Sequence, residues 1–320
     1  MMTRTGKTAL ILVWMGKLPS YFPLWTRTLP ANRNYDFLLF TDQPATASAE
    51  NLKVICMSFE QIKEYISQQL MLDAQLTHPY KLCDFKPAYG EIFREYLQGY
   101  SHWGCCDMDM LFGDLDTFIT PELQRTYPKL FSRGHLTIYR NDSSINTAWR
   151  RSKTIDTQKI MTAPEVYLFD EWSGIHRVFE ELGLGQYNAE VMGDVRVHSS
   201  RVECTNLKNY RPQVFIWQNG RVKQYYIGSD GQPAYTELAY IHFQKRRIAI
   251  PDRAVLSSET MVLNPEAVLP WNGAITTDFI RRFDRPGYGH YIGSIYKKLR
   301  KKLQTGSSLS INKSLIQARS

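Results

Sequence analysis

The five cysteines form no Cys-x-x-Cys, and no Cys/His group stands at metal-ligand spacing. That excludes the usual structural zinc signatures and makes a disulfide framework unexpected, which fits a reducing cytoplasm. The sequence also lacks Gly-x-Gly-x-x-Gly and Gly-x4-Gly-Lys-Ser/Thr, so neither common phosphate loop is present. No apolar run approaches the roughly 20 residues needed to span a bilayer, so any membrane contact is expected to be peripheral. Arg4 and Lys7 precede the apolar run Thr8–Met15, an order that faintly resembles a signal peptide. The run is short, however, and Gly16-Lys17-Leu18-Pro19 offers no small-x-small cleavage site; an opening buried strand is the expectation.

What is abundant is positive charge and aromatic surface. The 320 residues carry a formal net charge of +8, and 13% are aromatic. The charge points to an anionic partner or surface, without choosing between nucleic acid, phosphorylated substrate and lipid. The length suits one large α/β domain or two smaller ones.

Read in order, Thr8–Met15 is a continuous apolar strand, Tyr21–Leu29 a first helix, Tyr35–Phe40 and Leu52–Met57 further strands, and Ser58–Leu72 a capped helix. Strands alternating with short crossovers predict parallel βαβ units, whose ligands bind beyond the carboxyl ends of the strands. Gly16-Lys17 and Thr41-Asp42 stand at such ends. A helix is expected from Ala88 to Tyr100 with Pro87 in its first turn, which puts Lys81, Asp84 and Lys86 just before a helix N-terminus, a place suited to anions. Arg150–Lys159 reads as a polar, mobile loop. Val214–Tyr226 is the clearest hairpin, turning at Asn219-Gly220. Leu238–Phe243 reads as a strand carrying His242, and Tyr291–Leu303 as a basic amphipathic helix suited to an anionic membrane surface.

The centre of interest is His102–Met110, a strand carrying Asp107 and Asp109. Carboxylates at i and i+2 on an extended segment point the same way. They repel unless a cation sits between them, and hard divalent ions such as Mg²⁺ or Mn²⁺ take such oxygen ligands. Asp114 and Asp116, by contrast, are expected to serve a turn and a helix cap.

The blocks VWMGKLPSYFPLW, FLLFTD, YKLCDFKPAYGEIF and CDMDMLFGDL, in this order, resemble the GT-A class of nucleotide-sugar glycosyltransferases, in particular bacterial capsule and lipopolysaccharide glycosyltransferases; the resemblance spans roughly residues 8–250. It implies an α/β, GT-A-like (Rossmann-like) fold with a mixed, mainly parallel central sheet flanked by helices, a C-terminal hairpin and a basic helix. The domain would run to residue 250, with an extension over 251–320. It further implies a metal-dependent hexosyltransferase acting on a nucleotide sugar, expected to be a UDP-sugar, and on a surface-polysaccharide or lipid-linked glycan acceptor. Asp107, Asp109 and His242 would hold Mn²⁺ or Mg²⁺. Asp42 would contact the nucleoside; Lys81, Asp84, Lys86 and Asp107 the donor sugar or phosphate; Lys245, with Arg246 and Arg247, the diphosphate. His135–Arg140 would line the acceptor side. Asp170 first, and Glu171 second, would be the general base of an inverting reaction. The expected place is the cytoplasm, on the inner face of the membrane.

Three other readings compete. A metal-dependent phosphatase would use Asp-x-Asp as nucleophile and acid, but its motif opens the chain and continues to Thr, whereas here Met110-Leu111 follows. A nucleic-acid-binding protein would explain the charge but lacks any recognition motif, so no nucleic-acid partner is expected. A non-catalytic sugar binder would share the fold.

Overall fold

The computed structural model describes residues 5–45, 47–244, 246, 248–287 and 292. In chain order its strands are β1 (Thr5–Trp14), β2 (Tyr35–Thr41), β3 (Leu52–Cys56), β4 (Tyr100–Cys106), β5 (Met110–Phe112), β6 (Lys129–Arg133), β7 (Leu136–Arg140), β8 (Gln186–Tyr187), β9 (Gly193–Asp194), β10 (Gln213–Gln218), β11 (Arg221–Ile227), β12 (Pro233–Leu238), β13 (Tyr240–His242), β14 (Thr260–Leu263) and β15 (Val268–Pro270). The largest sheet has the order β3-β2-β1-β4-β7-β6-β8. Its first four strands are parallel, and β7 and then β6 add antiparallel. This is the mixed, mainly parallel α/β sheet that the GT-A resemblance implies, its parallel half following the alternating pattern.

The run Thr8–Met15 is apolar throughout because β1 is central and covered on both faces. Ala9 and Ile11 face one core cluster with Phe40, Phe93 and Trp103; Leu10 and Leu12 face another with Trp25, Phe37 and Phe112. The two clusters lie on opposite sides of the sheet, as the period of two demands. Ser58 caps the helix Phe59–Leu70 through a reciprocal capping box with Gln61, and the buried face is Ile62, Ile66 and Leu70.

A second sheet, β12-β11-β10-β14-β15, is antiparallel. Its β10–β11 hairpin turns on Asn219 (φ 48°) and Gly220 (φ 82°), the positive pair that a type I′ turn requires. The pairing of β14 with β10 crosses the boundary expected at residue 250, so residues 260–270 extend this sheet. Arg27 ties the first helix to it by lying over the Trp217 ring. Between the two sheets, β5-β13-β9 forms a small mixed one.

Several local expectations are corrected. The α-helix expected from Ala88 is only Tyr89–Ile92, and the preceding Pro79–Ala88 winds as 3₁₀-helix with Pro87 inside it. Within this 3₁₀ segment Lys81 and Asp84 turn inward and are fully buried. Strand His102–Met110 is two strands, with the Asp-x-Asp in the bend between β4 and β5. Arg150–Lys159 is not an unstructured loop: it leaves a 3₁₀ turn, Ala148–Arg151, and runs into the helix Thr157–Thr162. Arg150 donates to both Glu91 carboxylate oxygens and to the Leu70 carbonyl. The basic helix expected over Tyr291–Leu303 lies outside the described residues. No helix among the described residues is long and apolar enough to cross a membrane.

One buried cation makes a stability prediction. Lys129 is fully buried, and its Nζ donates to two uncharged acceptors, Phe131 O (2.6 Å) and Gln186 Oε1 (3.1 Å). Burial pushes its pKa down to about 7. The unfolded chain, with an ordinary lysine, binds more protons between about pH 7 and 10.5, so this residue makes stability rise with pH across that window. Lys129→Met should abolish that rise. The stability of the variant relative to the parent is expected to fall by about 2–3 kcal/mol between pH 7 and 9, at ~1.4 kcal/mol per pH unit. Urea denaturation at both pH values checks this; a pH-independent difference would refute it.

Candidate active site

The carboxyl ends of β1, β2 and β4 converge on one edge of the parallel sheet, where ligands bind in folds of this kind. After β2, Asp42 accepts from the Gly16 backbone N–H at 2.8 Å and from the Gln43 side chain at 3.1 Å. This joins the loops after β1 and β2 into one rim. After β4 come Asp107 and Asp109. The Asp107 N–H donates to His135 O, and Asp109 O accepts from Phe243 N, so both ends of the bend are pinned to neighbouring segments.

The bend brings Asp107, Asp109 and His242 together, with one ligand atom from each inside a span of 4.8 Å. His242 stands on β13, which pairs antiparallel with β5, and its Nε2 lies 3.3 Å from Asp109 Oδ1. The Nδ1 of the same ring meets Asp194 Oδ1 at 2.9 Å. Asp194 arrives on β9, parallel to β13, and also accepts from the Gln244 side chain. Burial works against charge on His242, but the hydrogen bonds its ring donates to Asp109 and Asp194 outweigh it and push its pKa up to about 10. The same bonds outweigh burial at Asp194 and hold its carboxyl below the usual range. His135 stacks on His242 with ring centroids 4.3 Å apart, and its Nδ1 lies 3.0 Å from the Tyr240 hydroxyl. Burial and the neighbouring His242 charge push His135 down to about 3, so it stays neutral.

The two aspartates of the motif differ. Burial raises both, yet at Asp107 the Lys86 ammonium prevails and keeps the carboxyl below its ordinary value. At Asp109 burial prevails and the pKa is raised. Lys86 Nζ sits 2.7 Å from Asp107 Oδ1, 3.0 Å from Asp170 Oδ2 and 2.8 Å from Gly134 O. It therefore clamps the metal-ready bend to the segment before Trp172. Burial, with Glu171 and Asp107 adding and Lys86 opposing, pushes Asp170 up to about 6. Asp170 is 5% exposed, and its Oδ1 has no hydrogen-bond partner among the described residues. The tight approach depends on Gly134: a Cβ there would stand 2.3 Å from Asp170 Oδ2 and 3.1 Å from Glu171 Oε1.

Two groups expected to meet the donor do not face this edge. Lys81 and Asp84 are both fully buried and bond each other at 2.9 Å. Lys81 also donates to the carbonyls of Ile160 and Glu165, and Asp84 accepts from the Tyr167 and Phe169 N–H groups. The pair is thus an internal strut that fixes the chain leading into Asp170. A Lys and an Asp at i and i+3 read alike from sequence whether they face solvent or each other. Arg246 is likewise buried and donates to the carbonyls of Arg196, Ser199 and Pro265, so it does not meet a diphosphate; Lys245 and Arg247 lie outside the described residues. Asp114 accepts from the Thr117 hydroxyl and Asp116 from the Asn34 side chain; both contacts are structural, but the helix cap expected there does not form, since Asp114 makes no side-chain capping bond.

Sequence reading missed Asp194, His135 and Gly134. Met192-Gly193-Asp194 carries no motif, and its value comes only from pairing β9 with β13. His135 opens a segment assigned to the acceptor side, yet it reaches the metal-ready cluster through the His242 ring.

The donor set suits a divalent cation. Two carboxylates favour a hard ion such as Mg²⁺ or Mn²⁺, and an imidazole nitrogen among them sits better with Mn²⁺. The Nδ1 contact with Asp194 fixes the ring so that Nε2 faces Asp109, an outer-sphere support common at histidine ligands.

No curated protein matches the chain. One matching solved structure is the crystal structure of mouse xyloside xylosyltransferase 1 in its apo form. It shows 9% identity, covers 59% of this chain and 87% of that one, and has a TM-score of 0.33. A likeness at that level carries no argument about activity. The family model described as "Family of unknown function (DUF6625)" matches residues 10–272, most of the chain and every site residue above. The chain belongs to that family.

Proposed function

We propose that this protein is a metal-dependent glycosyltransferase that moves a sugar from a nucleotide-sugar donor to a glycan acceptor. The observation that carries the reading is the gathering of Asp107, Asp109 and His242 at the carboxyl edge of a parallel sheet. A divalent ion bound there would supply Lewis acidity toward a diphosphate leaving group. The remaining chemistry belongs to the chain. Asp42 and the Gly16 loop form the rim that would receive the nucleoside. Lys86 balances Asp107 and Asp170 beside that cluster. Asp170 and Glu171 are the carboxylates available for the acceptor's proton. Asp170 is held against Lys86, whereas Glu171 lines an open cavity and so is the better placed to meet an acceptor hydroxyl.

A panel of UDP-, GDP- and CDP-sugars, each with and without Mn²⁺, tests the reading by thermal shift. At 100-fold excess over Kd a ligand stabilises by ~2.7 kcal/mol, which is a shift of several degrees for a domain of this size. Mn²⁺-dependent stabilisation by one sugar nucleotide class, UDP being the expectation, is the predicted outcome. Stabilisation by none would overturn the proposal.

A further inference from the structure

Beside Asp170 lies a cavity of about 240 Å³ that the metal-ready cluster does not use. It is lined by Phe131, Arg133, Glu171, Trp172, Glu190 and Tyr240, among others. The volume is just under the roughly 300–1,000 Å³ of drug-sized ligand sites, room for about one sugar ring and too little for a nucleotide. Glu171 itself lines the cavity, and its chain neighbour Asp170 packs close to Gly134, next to the lining Arg133.

Trp172 is the unusual member. Its side chain is 58% exposed, a large apolar surface left open to water. One face of the indole stacks on His176 with centroids 3.9 Å apart, and the ring is thereby held in a fixed orientation beside the cavity. His176 is buried and anchored to Glu180, so the platform rests on the core. A rigid aromatic plate flanked by a few polar groups is the arrangement that receives the apolar face of a pyranose while binding its hydroxyls at the edge.

The charges around the plate narrow the ligand further. Arg133 is occupied by Glu190 at 2.9 Å and lies 3.9 Å from Asp194, so its charge is offset. Glu171 remains, and the cavity presents acceptors rather than free cations, in a protein whose net charge is +8. An anionic sugar would meet like charge there.

We infer that this cavity is the acceptor subsite, and that it selects an uncharged saccharide by stacking one ring on Trp172 and disfavouring uronic acids through Glu171. The inference rests on the glycosyl-transfer reading for the word acceptor, while the saccharide site stands on the cavity itself.

Saturation-transfer NMR on the full chain, without nucleotide or metal, tests it with methyl glucoside, methyl galactoside and methyl glucuronide. At least one neutral glycoside should bind, and Trp172→Ala should weaken it about tenfold or more. Trp172→Phe should keep binding within about threefold, since the plate survives. The glucuronide should bind more weakly than the corresponding glucoside, and Glu171→Gln should narrow that gap. Equal binding by Trp172→Ala, no binding of either neutral glycoside, or a glucuronide that binds as well as the glucoside would each overturn the inference. The two readings fail separately. Glycosides that bind through Trp172 when no nucleotide sugar stabilises the protein would sink transfer and leave the saccharide site. Nucleotide-sugar stabilisation with glycoside binding indifferent to Trp172 would do the reverse.

Discussion

Replacing Asp109 by alanine is expected to abolish the Mn²⁺-dependent rise in melting temperature and to lower transfer from a nucleotide sugar by about 10³-fold or more, close to 4 kcal/mol of barrier. The size follows from where the carboxylate stands. Burial raises its pKa, and its Oδ1 faces His242 Nε2 at 3.3 Å, so it is held ready for a cation at an energetic cost to the ion-free protein. Alanine removes one of three ligands, and of the two carboxylates it is the one whose pKa burial raises, whereas Lys86 holds Asp107 down. The ion-free variant should therefore be nearly as stable as the parent. Loss of the metal response without loss of the fold is the signature that separates a ligand from a structural residue. Retention of Mn²⁺-dependent stabilisation in Asp109→Ala would remove the metal assignment, whatever happened to turnover.

Lys86→Met should act in the opposite way, on the fold itself. The ammonium lies between Asp107 and Asp170 and also donates to Gly134 O. Removing one member of a buried ionic group leaves the others uncompensated, at a cost of about 3–5 kcal/mol. The sign of the pH dependence follows. Asp170 already stands at about 6 with Lys86 present and should rise further without it, while Asp107, now held below its ordinary value, should rise as well. Between their unfolded value near 4 and the raised folded values, the native variant binds more protons than the unfolded chain, so its stability falls as pH rises. The deficit against the parent should be small at pH 4 and full at pH 8. Mn²⁺ should recover part of it at pH 8, since a divalent ion can replace the lost positive charge at Asp107. Denaturant titrations at the two pH values, with and without Mn²⁺, decide the matter. A deficit that ignores pH would show that Lys86 contributes packing rather than charge balance.

The metal-ready cluster and the strut differ in how far sequence could reach them. Asp107 and Asp109 stand two positions apart in the chain, and the apolar residues around them mark a strand end, so their placement follows from local pattern. His242 was reachable because it follows a β-rich run in a block order that resembles a known class. Lys81 and Asp84 misled, because a charged pair before a helical pattern reads as exposed unless one knows that the carbonyls of Ile160 and Glu165 wait beneath it, roughly 80 positions on. The same holds for Arg246, whose carbonyl acceptors on Arg196, Ser199, Arg201 and Pro265 lie 19 to 50 positions away in the chain. The cavity beside Trp172 had no sequence signal at all: its walls come from β6, from the segment around Glu171 and Trp172, from residues 188–192 and from β13.

By itself, then, the sequence determined the parallel α/β sheet, the hairpin at Asn219-Gly220 and the Asp-x-Asp at the end of β4. Each of these is written in period, turn chemistry and nearest neighbours, which act over a few residues. Only the tertiary structure decided which charges face the site and which face each other. A charged side chain gives up its water only where distant segments supply its partners, and that supply depends on how β9, β13 and the Asp170 segment come together.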